Sequence, residues 1–271
     1  MIEVLNDRFW VSRGFKDKNP AGLLPKFIHQ IATGFGDSGT NLLDYTGYAK
    51  SSSRKQINDF LPALAAFDPS SGIKTDNGKL AFWLNVYNIL VIDIVSRFSG
   101  ENSMRDVEGF FTDYGYKIAD AEFSLDIIEH GILRSNKAKY RSFTGLLSRR
   151  DSRLDQKLEL DPRLHFALHV ASISSPKLKA FAEADLDSDL DRASTEYLSQ
   201  QVVFDDVKNQ VYLPKIFDWY SKDFGGKSDA RKFAMTQLGH SFDESKLAAV
   251  LSAKVRYLEY DWNLNHSLFK G

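Results

Sequence analysis

Apolar residues are densest over residues 80–95, where only Asn85, Asn88 and Asp93 break the hydrophobic character of the run. Leu80, Trp83, Leu84, Tyr87, Val91, Ile94 and Phe98 recur at the helical period, and Phe82, Val86, Ile89 and Leu90 make the opposite side apolar too. That pattern predicts a helix over 79–97 that belongs in the centre of a fold. The same spacing predicts helices over 23–33, over 54–66 behind the cap candidates Ser51 to Ser53, and over 125–134, 189–200, 215–222, 230–238 and 244–251. Residues 116–123 and 202–213 each read as a short hairpin, and residues 255–260 alternate as a final strand. Loops are expected over 34–39, 68–78 and the charged stretch 137–161. Together these elements predict a helix-dominated α+β fold with a small antiparallel β-sheet. Without a repeat, a low-complexity tract or a gathered linker, the expectation is a single globular domain over 1–271.

Composition narrows the function classes. Hydrophobic residues make up 43% and aromatics 13% of the chain, enough for a sizeable core without covalent staples. The 35 basic and 36 acidic residues nearly cancel, so no global field draws nucleic acid or an anionic surface, and nucleic acid is not an expected partner. Only a local patch could do so: Arg149, Arg150 and Arg153 come close to one, but with Asp151 and Asp155 among them the mixed run reads as a solvated face. The absence of cysteine removes disulfides, thiolate chemistry and cysteine-bound zinc. The 80–95 run reads as too short and too polar to span a bilayer, so a soluble chain with no integral membrane segment is expected. The first ten residues lack the basic start and apolar stretch of a secretory signal. Nothing in the sequence calls for a cofactor.

Some polar residues fall where the pattern predicts an interior. Glu129 shares a helical stripe with Leu125, Ile128, Ile132 and Leu133, so its carboxyl must be protonated there or meet a cation such as Arg134, Arg163 or a protonated His165. It reads either as a tuned acid or base or as half of a structural ion pair. His130 shares its face with Asp126 and Arg134, where the carboxylate orients the ring or makes a helix-surface pair, and the spacing favours the surface pair. Asn85 and Asn88 lie on the helix that is apolar nearly all round, and buried amides bridge to backbone or position a substrate. His165 and His169, four apart, share a face of a helix or a strand, and Asp161 before Pro162 favours a helix. They are weak candidate metal ligands, because Phe166 stands where a zinc protease places its general base and no third ligand is evident. Asp218, Trp219, Tyr220 and Asp223 form an acidic and aromatic patch, and Tyr260, Asp261 and Trp262 repeat its chemistry. Packing and capping explain such patches, as does a sugar or peptide cleft.

AFWLNVYN from Ala81, FSLDIIEHGILR from Phe123, DPRLHFAL from Asp161, IFDWYSKDF from Ile216 and YLEYDWNLN from Tyr257 together resemble the domain-of-unknown-function family 547. The resemblance covers about residues 44–265. It implies no assigned reaction, though it carries a distant likeness to papain-like and transglutaminase-like cysteine hydrolases, and relatives' habits favour a periplasmic over a cytoplasmic home. Family members typically carry two cysteines after the His-Phe-Ala-Leu segment; here those places hold Val170 and Ser175, the latter before Pro176.

Two readings follow. In the first, a hydrolase or acyl-transfer site uses His165 as general base, Glu129 to orient or tune it, Ser175 in place of the family's cysteine, and Asn85 as a polar contact to an unknown small molecule or peptide. In the second, the same residues form the buried network of a non-catalytic binding or scaffolding domain. A hydrogen bond between His165 and Glu129, with an open cleft to Ser175, is what the first requires.

Overall fold

The computed structural model describes residues 1–6, 14–15, 18–98, 101–140, 142–239 and 244–267. Its axis is helix α5 (Asp76–Arg97), capped by the Thr75 hydroxyl, which accepts from the Gly78 amide at 3.0 Å, and flanked by Asp76 and Arg97 with the signs the helix dipole favours. From Ala81 to Val95 every residue of α5 is buried. By length and composition alone this helix could cross a membrane, contrary to the expectation from the 80–95 run, yet 89% of its most apolar window is covered by protein. Its buried Asp93 ion-pairs with Arg54 and with Arg97 and accepts a hydrogen bond from the Tyr116 hydroxyl at 3.0 Å.

Helices α1 (Pro20–Phe35), α2 (Tyr45–Ala49), α3 (Ser52–Ala65) and α4 (Pro69–Gly72) precede α5 in the chain, and α1 and α2 pack on it. A three-stranded sheet closes this layer: β1 (Glu3–Val4) pairs parallel with β2 (Tyr114–Ile118), which pairs antiparallel with β3 (Ala121–Ser124), Tyr116 facing Phe123 in register. These elements enclose one hydrophobic core.

A second core forms around α6 (Leu186–Gln201), α8 (Lys227–Leu238) and α9 (Glu244–Ser252), with a sheet in which β4 (Val203–Asp205) runs antiparallel to β5 (Gln210–Leu213) and β5 parallel to β6 (Lys254–Tyr257). The chain is thus a helix-dominated α+β protein with two small mixed sheets instead of one antiparallel sheet. Each expected hairpin is present, but each takes a parallel third strand from a distant part of the chain, which local alternation does not reveal.

Three segments depart from the expected helical geometry. After two α-helical residues, Leu125 and Asp126, residues Ile127–Leu133 form a π-helix, a rare form concentrated at functional sites. Pro162–Phe166 is a 3₁₀ turn that ends before His169. His165 and His169 therefore do not share a helix face. The expected helix over 215–222 is likewise split into α7 (Ile216–Trp219) and a 3₁₀ turn, Ser221–Phe224. Gly225, at φ 89°, ends that turn in the left-handed region that favours glycine.

Candidate functional site

The two cores meet at Pro162–Phe166: Leu164 belongs to the first and Phe166 to the second. His165 lies between them, and around it the seam is polar. The π-helix supplies Glu129 and His130, with Arg134 capping its end, while the segment after α7 supplies Tyr220 and Asp223. Glu129, His130, Arg134, His165 and Asp223 are all buried, His130 contrary to the surface pair its spacing favours, because the π-helix that carries it is covered on all sides.

Asp223 is the hub. Its Oδ2 accepts from His165 Nε2 at 2.9 Å and from Arg134 Nε at 2.6 Å, and its Oδ1 from Arg134 Nη2 at 3.1 Å, a fork that fixes both partners. Burial pushes the Asp223 carboxyl up, but the bonds from His165 and Arg134 outweigh it and hold the group ionised, well below the usual carboxylate range. Burial pushes the His165 imidazole down by more than Asp223 and Glu129 raise it, so the ring is neutral near pH 7. A neutral ring that donates from Nε2 keeps its Nδ1 lone pair, and Nδ1 has no hydrogen-bond partner among the described residues.

Glu129 faces the same seam without bonding His165. Its Oε1 accepts from the Tyr220 hydroxyl at 2.7 Å, and the Tyr220 ring stacks on His165 with centroids 4.0 Å apart. Burial raises the Glu129 pKa, yet His130, His165, the Tyr220 hydrogen bond and Arg134 leave it below the ordinary glutamate value. Arg134 also lies over the Tyr220 ring, 4.8 Å from its centroid, and its Nη1 donates to His130 Nδ1 at 2.7 Å. His130 is pushed down chiefly by burial, and its Nε2 stands 3.6 Å from Asp126, which ion-pairs with Lys139.

Glu129, His165 and Tyr220 line a cleft whose wall is aromatic: Phe111, Trp219, Tyr260 and Trp262. Trp219, Tyr260 and Trp262 pack against one another with centroids 4.6–5.8 Å apart. Glu129, Trp219 and Tyr220 also line a neighbouring wider space of about 510 Å³, bordered by Arg105, Asp126, His130, Lys139 and Lys215. Arg105 stacks on Trp262 at 4.5 Å.

The other residues singled out from the sequence lie elsewhere. Asn85 clamps the backbone of Phe181, donating to its carbonyl at 2.6 Å and accepting from its amide at 3.0 Å. Asn88 does the same for Ala167 and His169, at 3.1 and 2.9 Å. Both amides bridge backbone, because an apolar helix offers no other way to satisfy a buried segment beside it. Ser175 is 4% exposed, and its hydroxyl accepts from the Val170 amide at 2.9 Å and lies 3.2 Å from His169 Nδ1. That nitrogen also meets the Pro176 carbonyl at 2.8 Å, while Nε2 meets the Tyr45 hydroxyl at 3.0 Å. Burial drives the His169 pKa down to about 4. Ser175 thus pairs with the enclosed His169 and borders a different pocket from His165. The two histidines have separate partners, and the described residues contain no cluster of three or more His, Asp or Glu arranged to hold a metal.

Asp223 is the partner of His165 that sequence reasoning passed over. It stood in the acidic and aromatic patch, but nothing in the linear order ties residue 223 to residue 165.

Residues 71–198 match the family described as "Protein of unknown function, DUF547", which supports the resemblance drawn from the sequence blocks. No curated protein and no solved structure matches the chain. The matched segment holds Glu129, His130, Arg134 and His165; Tyr220 and Asp223 lie beyond it.

Proposed function

We propose that the seam between the two cores is a general acid–base site for hydrolysis, or acyl transfer to water, at the carbonyl of a small substrate with a flat apolar body. The observation that carries this reading is the state of His165: a neutral ring held through Nε2 by an ionised Asp223, with Nδ1 unbonded among the described residues, in the wall of a cleft. In the reaction, Nδ1 takes a proton from water, the hydroxide adds to the carbonyl carbon, and the imidazolium returns the proton to the leaving group as the bond to it breaks. Asp223 fixes the tautomer and, with the nearby Glu129 carboxylate, stabilises the imidazolium that forms. Trp219, Tyr260 and Trp262 supply the flat apolar wall.

Water replaces Ser175 as nucleophile in this reading because the Ser175 hydroxyl is engaged with Val170 and His169 and borders the other pocket. A second reading has its own support: the bonds through Tyr220, Glu129, Arg134 and Asp223 join the two cores, and a network of that kind also serves a non-catalytic scaffold. Turnover of a panel of ester and amide substrates by wild type and by His165→Gln separates them. A folded variant that loses about a hundredfold or more in rate supports the catalytic reading; equal rates, or no turnover by wild type, support the scaffold.

A further inference from the structure

The wider space beside the cleft adjoins a loop that the proposed chemistry does not use. Between residues 137 and 153 the chain carries six basic residues and one acidic one, in a protein whose formal net charge is -1. The single acid is neutralised locally: Asp151 accepts from Arg153 Nη2 at 2.6 Å and Nε at 2.9 Å. Lys137 and Lys139 face Asp223 and Asp126. Arg149 and Arg150 are left exposed, with no acidic partner among the described residues.

The loop between these charges is held in shape. The Asn136 side chain donates to the Leu147 carbonyl and accepts from its amide, both at 2.9 Å, and so clasps the loop at its base. Leu147 is 6% exposed and seats against Gly131 of the π-helix, where an added Cβ would stand 2.8 Å from Leu147 Cδ1. With Leu147 drawn inward, Phe143 is left 99% exposed, with Tyr140 and Leu146 at 48% and 40%. These are three of the seven exposed large hydrophobic residues in the described chain, within seven positions of sequence.

We propose that this loop docks the protein on a bilayer containing anionic lipid: Phe143 and Leu146 enter the acyl boundary while Arg149 and Arg150 meet the headgroups. A stable protein partner needs about 800 Å² of complementary surface on each side. Three exposed apolar side chains beside two arginines offer much less, whereas apolar insertion combined with basic charge is the pair of signals that peripheral membrane binding requires. Because Lys139 and Tyr140 also border the wider space beside the cleft, docking sets that space at the lipid surface. The proposal does not depend on the chemistry assigned to His165.

The test is cosedimentation of the full chain with vesicles of phosphatidylcholine alone, and of phosphatidylcholine mixed with phosphatidylglycerol, at low and high salt. Binding is expected to the anionic vesicles and to weaken with salt. Arg149→Ala with Arg150→Ala lowers the partition coefficient about thirtyfold, and Phe143→Asp lowers it about tenfold or more. All three positions are exposed, so thermal unfolding identical to wild type verifies that the variants fold. Failure of the wild type to bind anionic vesicles overturns the proposal, as does undiminished binding by Phe143→Asp. Preferential binding to polyglutamate over the vesicles also overturns it, by assigning the patch to an acidic protein.

Discussion

Arg134 and Asp223 tie the two hydrophobic cores together through a bidentate ion pair, Nε to Oδ2 at 2.6 Å and Nη2 to Oδ1 at 3.1 Å. The Asp223 side chain has no exposure and that of Arg134 has 4%, so neither charge has recourse to solvent. Removing Asp223 strands the Arg134 guanidinium, and removing Arg134 leaves the Asp223 carboxylate with only His165 and, at 3.7 Å, Lys137. Arg134→Met is expected to destabilise the protein by about 3–5 kcal/mol, and Arg134→Met with Asp223→Leu by much less than the sum of the single changes, because in the double variant neither member of the pair is left as a buried charge without the other. Denaturant unfolding of the four proteins checks this; additive losses would show that the pair is not coupled.

Asn85 satisfies two backbone groups of Phe181 at once. Asn85→Leu removes both bonds from a buried strip of backbone and should cost on the order of 3 kcal/mol. If catalysis is measurable, its pH profile is expected to be unchanged in the folded variant, since Asn85 contacts Phe181 and not the Glu129–His165 seam. A shifted profile would place Asn85 in the chemistry.

Tyr220 donates to Glu129 at 2.7 Å and so favours the ionised carboxylate. Tyr220→Phe withdraws that bond and should raise the Glu129 pKa, as followed by carbon NMR of the carboxyl group. The acid limb of any activity that needs ionised Glu129 moves to higher pH with it. An unmoved carboxyl titration would mean that the other neighbours alone hold Glu129 ionised.

His169 gives the fold a pH dependence with a definite sign. Its pKa falls from 6.5 to about 4 on folding, because burial disfavours the charged ring. The unfolded chain therefore binds a proton that the folded chain refuses, and this contribution is fully present above pH 6.5 and lost as pH falls toward about 4. The loss amounts to about 3 kcal/mol across the window. Urea unfolding across it should show the slope in wild type and a reduced slope in His169→Gln; equal slopes would place the titration elsewhere.

Much of the framework was legible in the order of residues. The apolar run around Trp83 and Tyr87 declared a central helix because its hydrophobic positions cover every side, although the helix starts at Asp76, behind the Thr75 cap, inside the stretch 68–78 expected to be a loop. The burial of Glu129 followed from its neighbours at helical spacing, as did the bridging alternative for Asn85. These inferences succeed because they depend on residues within one or two turns of each other.

The partners of those residues were decided by tertiary structure alone. Asp223 meets His165 across 58 positions, and Tyr220 meets Glu129 across 91. The 3₁₀ turn that separates His165 from His169 and the π-helix that carries Glu129 depend equally on packing, since both follow from how each segment fits between two cores. Hydrophobic periodicity states which side of a segment must leave water. It carries no address for the group that will meet a buried charge, because that meeting is set by how distant segments pack, and only then does a carboxylate find its cation.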